Sequence, residues 1–275
     1  MNNWILKIDD NGNEITVRDV QLVLLDMLKD IDAVCVKHDI PYFLNGGSAL
    51  GAFRHQGFIP WDDDIDIAMM DDDFKRFLEV ASEALGHDYA IHAYEIDRCY
   101  NVCIPGMKIR KKGTYVKEVN QLLKNKCKDS DGLFIDVFVY SSVSNNVLID
   151  LPLRLLNMVL MPLIVFLENA NLNPIVLKSW FKWNAKLYSK ICKNSKYIGF
   201  DLTWTFKHPL KPFRFLRDDI YPTKRIKFED DVFPVANNIE SYLEVAIGPG
   251  FRQLPKNEDR QPKHIIDIVL DGDQP

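Results

Sequence analysis

The feature that most constrains this chain is the run Gly57-Phe58-Ile59-Pro60-Trp61-Asp62-Asp63-Asp64-Ile65-Asp66-Ile67-Ala68-Met69-Met70, in which an acidic loop passes directly into an apolar strand. Successive side chains of a strand alternate faces, so Asp62, Asp64 and Asp66 are expected on one side and Asp63, Ile65 and Ile67 on the other. Carboxylates gathered on one face raise one another's pKa unless a cation neutralises them. A hard divalent ion, Mg²⁺ (or Mn²⁺), takes oxygen ligands and leaves positions for water or phosphate. A solvated acidic turn is the ordinary alternative for such a run; the apolar strand behind it and the glycines ahead of it favour a site.

At 275 residues, 47% hydrophobic and 27% charged, the chain suits one large domain or one domain with an insert. A formal net charge of -5 argues against a nucleic-acid binder. The cysteines (Cys35, Cys99, Cys103, Cys127, Cys192) are odd in number and form no Cys-x-x-Cys pair, which indicates neither a disulfide framework nor a zinc site and suits a reducing cytoplasm. The first residues lack the basic-then-apolar pattern of a cleavable signal. Residues 147–167 are long enough to span a bilayer, but Asp150 and Arg154 are costly in hydrocarbon, and Pro152 and Pro162 are expected to interrupt a helix. A buried or interfacial helical pair is the preferred reading.

Along the chain, residues 4–17 predict a β-hairpin turning at Asn11-Gly12. Val20, Val23, Leu24, Met27, Leu28, Ile31, Val34 and Cys35 give the stripe of an amphipathic helix ended by Pro41. A strand at Tyr42-Phe43-Leu44 leads through Gly46-Gly47-Ser48 into a helix, and Asp71-Asp72-Asp73 open another, with Phe74, Phe77 and Leu78 buried. Strands are expected at 89–94, 107–110, 133–140 and 224–229, and a helix at 238–247 stopped by Gly248-Pro249-Gly250. Residues 147–200 read as a helical insert. Within it Val176, Trp180, Trp183, Leu187 and Ile191 form an apolar stripe opposite Lys178, Lys182, Lys186 and Lys190, the pattern of a core stripe under a solvated or lipid-docking lysine face.

A further carboxylate, Asp136, lies in the apolar strand 132–139. Buried alone it costs several kcal/mol, so it must neutralise, find a partner or join the metal, and the last is favoured. Glycines between a strand and a helix let backbone N–H groups approach an anion, and the helix N-terminus adds partial positive charge. A glycine-rich strand-to-helix turn, then an Asp-x-Asp strand, then a strand Asp is the pattern of the nucleotidyltransferase fold.

Within that fold, the stretch Gly46 to Asp66 closely resembles the LicD family. The resemblance extends to Lys108-Ile109-Arg110 with Gly113-Thr114, the strand at 132–138, and Phe228-Glu229, Phe233-Pro234, Tyr242-Leu243, Gly248, Leu254-Pro255 and His264. The chain departs from the family at Ile247, often tyrosine there, and at Leu254-Pro255-Lys256, where a proline pair is usual. The family comprises phosphocholine transferases acting on bacterial surface glycans and teichoic acids, and is similar to the fukutin-related protein, which transfers ribitol phosphate.

The resemblance implies an α/β (α+β) fold: a nucleotidyltransferase-like mixed sheet flanked by helices, with residues 1–146 as catalytic core, 147–200 as helical insert and 201–275 completing the catalytic domain. It implies catalytic and metal roles for Asp64, Asp66 and Asp136, and donor-phosphate contacts from Gly46, Gly47, Ser48, Arg54 and Lys108. Asp62, His55 and His264 are placed at the margin of the site, with a structural histidine the favoured reading of His55. Trp61 and Phe58 read as packing for the acidic loop. The expected reaction moves a phospho-alcohol, phosphocholine first, from CDP-choline or another CDP-alcohol to a glycan that can be lipid-linked, in the cytoplasm or at the inner face of the membrane. The alternatives are NMP transfer to a small molecule and a non-catalytic scaffold of glycan assembly.

Overall fold

The computed structural model describes residues 4–9, 12–104, 106–119, 123, 126–129, 131–200, 202 and 212–270. Strands β1 (Ile5–Ile8) and β2 (Glu14–Thr16) form the expected antiparallel hairpin, and Asp10 and Asn11 of its turn lie outside the described residues. Helix α1 (Val17–Lys37) starts at a capping box, in which Asp19 accepts from the Thr16 backbone while Thr16 caps Asp19, and its apolar stripe from Val20 to Cys35 is buried. Then come β3 (Phe43–Leu44), α2 (Gly46–His55), β4 (Asp66–Met70), α3 (Asp71–Ala84), β5 (Tyr89–Ala93), β6 (Met107–Lys111), β7 (Tyr115–Glu118) and β8 (Phe134–Ser142). Helices α4 (Val147–Asn169) and α5 (Ile175–Ile191) follow, then β9 (Tyr197–Phe200), β10 (Phe215–Leu216), α6 (Arg217–Ile220), β11 (Lys224–Phe228), β12 (Asp231–Val235), α7 (Ile239–Ala246) and β13 (Ile265–Val269).

Seven of the strands make one mixed sheet whose centre is β8. One edge of β8 pairs in parallel with β4, which pairs antiparallel with β3. The other edge pairs antiparallel with β6 near the start of β8 and with β9 near its end, and β5 and β10 extend those two strands. The N-terminal half of β8, which carries Asp136, therefore lies between β4 and β6. Side chains of α1, α2, α3 and α7 fill the core against this sheet. Two-stranded ribbons β11–β12 and β7–β13 bring the C-terminal segment back to the domain.

The helical insert differs from expectation in two ways. Helix α4 runs unbroken through Pro152 and Pro162, both on its exposed face. In α5 the orientation is inverted: Val176, Trp180, Trp183 and Ile191 face solvent, while Lys178, Phe181, Asn184, Ala185 and Tyr188 are buried. The polar groups are drawn inward because they are satisfied there. Lys178 pairs with Glu168 and donates to the carbonyls of Arg98 (3.2 Å) and Tyr100 (3.1 Å). Asn184 donates to the Leu153 carbonyl (2.7 Å) and to Asn157 (2.8 Å). The chain rejoins the sheet at β9, so the helical part of the insert ends with α5.

Candidate metal and phosphate site

The site is built where α2 begins and β4 and β8 start. Register places Asp66 beside Asp136 across β4 and β8, and Lys108 beside Asp136 across β6 and β8. Laterally paired residues share a sheet face, so two carboxylates and an ammonium stand in one row. Strand β4 begins only at Asp66, so Asp62 to Ile65 belong to a loop, and the expected strand alternation does not govern them. The loop is shaped by bonds to distant parts of the chain. Gln21, buried on α1, donates to the carbonyls of Ile59 (3.1 Å) and Asp62 (2.9 Å). Asp63 turns away and accepts backbone N–H groups of Lys263 (3.2 Å), His264 (3.1 Å) and Ile265 (2.9 Å).

The turn into α2 is equally determined. The Asn45 side chain accepts the hydroxyls of Tyr140 (2.9 Å) and Tyr242 (2.7 Å), and the Tyr242 oxygen accepts the Gly46 N–H at 2.8 Å. Ser48 accepts the Asp66 N–H at 2.9 Å, joining the helix start to the strand start. Gly46 has φ of +50°, which a side chain would strain. A Cβ on Gly47 would lie 3.0 Å from Asp62 Oδ2, and one on Gly46 3.6 Å from Asp66 Oδ2, so these carboxylates flank the glycine turn. First-turn N–H groups of a helix have no partner within it, which leaves those of Gly47 and Ser48 to face an anion.

Electrostatically the site is crowded with negative charge. Burial first, then the charges of Asp64, Asp136 and Asp62, lift Asp66 well above the usual carboxylate range. Asp62 is lifted by burial and by Asp64 and Asp63. Asp64 is raised by burial, with His264 opposing and Asp63 and Asp136 adding. Burial also raises Asp136, against the pull of Lys108. Lys108 Nζ lies 3.0 Å from Asp136 Oδ1 and 3.3 Å from Glu118, over the Phe134 ring, so its charge is committed to these carboxylates. Asp136 thus has a partner, with Lys108 Nζ also 3.2 Å from its other oxygen.

Among the described residues, ligand atoms of Asp63, Asp64 and His264 lie within 4.8 Å of one another. His264 Nε2 is 3.4 Å from Asp64 Oδ2. Asp64 belongs to this cluster, and its charge also acts on Asp66 and Asp136. A set of buried carboxylates held above their ordinary pKa fits a hard divalent cation. Arg54 donates to the carbonyls of Phe251 (3.2 Å) and Gln253 (2.9 Å), anchoring the C-terminal loop beside Asp62. His55 accepts from Arg54 (3.5 Å) and stands edge-on to Trp61; burial and the Arg54 charge hold it below its ordinary pKa. Phe58 packs on Phe228 and Trp61 on Trp4, as packing residues do.

Sequence reading missed Gln21, Asn45, Asp63 and Glu118 as parts of this site. Gln21 left a signal, a polar residue on the apolar stripe of α1. Asp63 left none, because its partners are some two hundred residues away in the chain.

Comparison with known proteins agrees with this geometry. Residues 39–153, which span α2, β4 and β8, match the family model described as LicD/FKTN/FKRP, nucleotidyltransferase domain. The chain is similar to the lipopolysaccharide cholinephosphotransferase LicD of Haemophilus influenzae, with 28% identity over 281 residues that cover 94% of this chain and 99% of that protein. Uncharacterised proteins of Rickettsia prowazekii (38% over 82 residues) and Rickettsia typhi (35% over 88) are similar over 30% of this chain and 30% and 28% of their own. Residues 39–153 are thus a nucleotidyltransferase domain of the LicD family.

Proposed function

We propose that this protein is a Mg²⁺-dependent transferase that moves a phospho-alcohol, phosphocholine first, from a CDP-linked donor to a hydroxyl of a cell-surface glycan or teichoic acid precursor, releasing CMP. The observation that carries the reading is the meeting of the α2 N-terminus with Asp62, Asp64, Asp66 and Asp136, whose pKa values are all raised. The full-length likeness to a cholinephosphotransferase supports phosphocholine as first choice. A nucleotide donor and five free cysteines suit the cytoplasmic side.

Asp64, Asp66 and Asp136 hold the cation, with Asp62 beside them. Bound there, a divalent ion neutralises the carboxylates and offsets charge on the phosphates. The N–H groups of Gly47 and Ser48 orient the donor phosphates, and Arg54 adds positive charge at the rim. Lys108 sets the charge of Asp136 and, through it, faces the donor. The acceptor oxygen attacks the phosphorus bearing the alcohol, the bond from that phosphorus to the CMP oxygen breaks, and the hydroxyl proton passes to Asp136.

The test is ³¹P NMR of the protein with CDP-choline, CDP-ribitol and CDP-glycerol in parallel, with Mg²⁺ and a glycan fraction as acceptor. Acceptor-dependent CMP release from one donor supports the reading and names the alcohol. Pyrophosphate formed from CTP or ATP points instead to nucleotidyl transfer, and inertness with every donor to a scaffold.

A further inference from the structure

Helices α4 and α5 form a hairpin whose polar side is inside. Asp150 accepts from Arg154 (2.9 Å), Arg214 (3.3 Å) and the Tyr188 hydroxyl. Asn157 donates to the carbonyls of Phe181 (3.2 Å) and Leu202 (3.0 Å), and Glu168 pairs with Lys178. Leu160, Ile164 and Phe181 join one cluster with Tyr94, Tyr100 and Ile104, so both helices lie with their inner faces on the body of the domain. At about 100° per residue, the opposite face of α4 carries Leu148, Leu155, Val159, Leu163 and Phe166, and that of α5 carries Val176, Trp180, Trp183 and Ile191. Val176 is 76% exposed, and Trp180 and Trp183 are 59% exposed each. Large apolar side chains exposed together along one face of a helix mark an interaction surface.

Charge identifies the partner. Between residues 147 and 196 the acidic residues are Asp150 and Glu168, and both are buried in ion pairs. Lys186, Lys190 and Lys193 are exposed along the flank of α5 and make no ion pair among the described residues. A chain of net charge -5 thus exposes on the hairpin itself apolar and cationic side chains, although Trp183, Lys182 and Lys186 also border a groove whose other wall carries Asp71, Lys75 and Glu95. We infer that the outer face of the α4–α5 hairpin docks on an anionic lipid bilayer, lying in its interface. Two tryptophans seat at the headgroup level, aliphatic residues enter the acyl boundary, and lysines meet the anionic headgroups. Helix α4 is long and apolar enough to cross a membrane. It lies on the surface instead, because its inner face is bonded to α5 and to the domain. The docking element is therefore the tryptophan stripe, with the lysines as its fringe. This inference is independent of the chemistry proposed for the carboxylate site.

The experiment is flotation of the full chain with vesicles of equal parts phosphatidylglycerol and phosphatidylcholine, and with phosphatidylcholine alone, at about 50 mM salt, where screening is weak. The protein is expected to float with the anionic vesicles and its tryptophan emission to shift to the blue. Trp180→Glu/Trp183→Glu is expected to lower partitioning at least about tenfold with an unchanged urea midpoint, as both rings are exposed. Val159→Glu, on the other helix, reads the same face should the double variant misfold. Lys186→Glu/Lys190→Glu is expected to lower partitioning several-fold and flatten its salt dependence. Absence of flotation with anionic vesicles overturns the inference, as does equal flotation of the tryptophan and Val159 variants. So does a wild-type dimer, without vesicle binding, that these variants convert to monomer, since the face would then belong to a second copy.

Discussion

Asp66 shows how a single side chain can be costly to the metal-free fold and yet serve the chemistry proposed for it. Its carboxylate shares the N-terminal end of the sheet with Asp64, Asp136 and Asp62, and each charge adds to the burial that lifts its pKa. Asp66→Asn removes one repelling charge, so it is expected to raise the thermal midpoint of the metal-free protein while abolishing the gain that Mg²⁺ gives the wild type. Turnover should fall at least about a hundredfold, the loss expected when a metal ligand is removed. The pH dependence has a definite sign. A carboxylate raised in the folded state weakens stability above its folded pKa and is neutral in effect below its unfolded value near 3.8. Protonation also removes ligands from the cation. The Mg²⁺-induced rise in melting temperature is therefore expected to shrink as the pH falls, as calorimetry would record.

At the scale of elements, the turn from β3 into α2 is held by side chains from elsewhere in the fold. Tyr242 on α7 accepts the Gly46 N–H and donates to Asn45, which Tyr140 of β8 also reaches. Tyr242→Phe leaves a part-buried N–H without a partner and is expected to cost about 1–2 kcal/mol in urea unfolding, with a larger loss in donor turnover than stability alone explains. The sequence made this element legible because Gly-Gly-Ser between strand and helix is a local pattern. The stripe on α5 was equally legible as a stripe, but which side it turned inward was not. That depends on whether Lys178 and Asn184 find buried partners, and those partners, Glu168, Arg98, Tyr100 and Asn157, lie on other segments. Likewise Pro152 and Pro162 predict helix breaks, yet α4 continues with both rings on its exposed face.

Across the whole molecule, the acidic loop joins three distant parts of the chain. Gln21 holds it from α1, Asp63 holds the segment leading into β13, and β13 in turn pairs with β7, which carries Glu118 to Lys108. Asp63→Ala is expected to destabilise the protein by about 3 kcal/mol, since a buried carboxylate accepting several N–H groups leaves them all unpaired. It should also make residues 260–270 sensitive to limited proteolysis. The general architecture and the acidic cluster were readable because periodicity and clustering are local. The attachment of the C-terminal segment was not, because backbone N–H groups carry no sequence signature.

The central claim is that the carboxylates at the start of β4 and β8 form a catalytic centre for a divalent cation, and Mn²⁺ titration followed by electron paramagnetic resonance tests it most directly. The account predicts a tight site in the wild type that Asp66→Asn abolishes while the circular dichroism spectrum is retained, and that His264→Ala leaves largely in place. Undiminished Mn²⁺ binding by Asp66→Asn, with loss of binding in His264→Ala, would contradict it and move the metal to the Asp63–Asp64–His264 cluster.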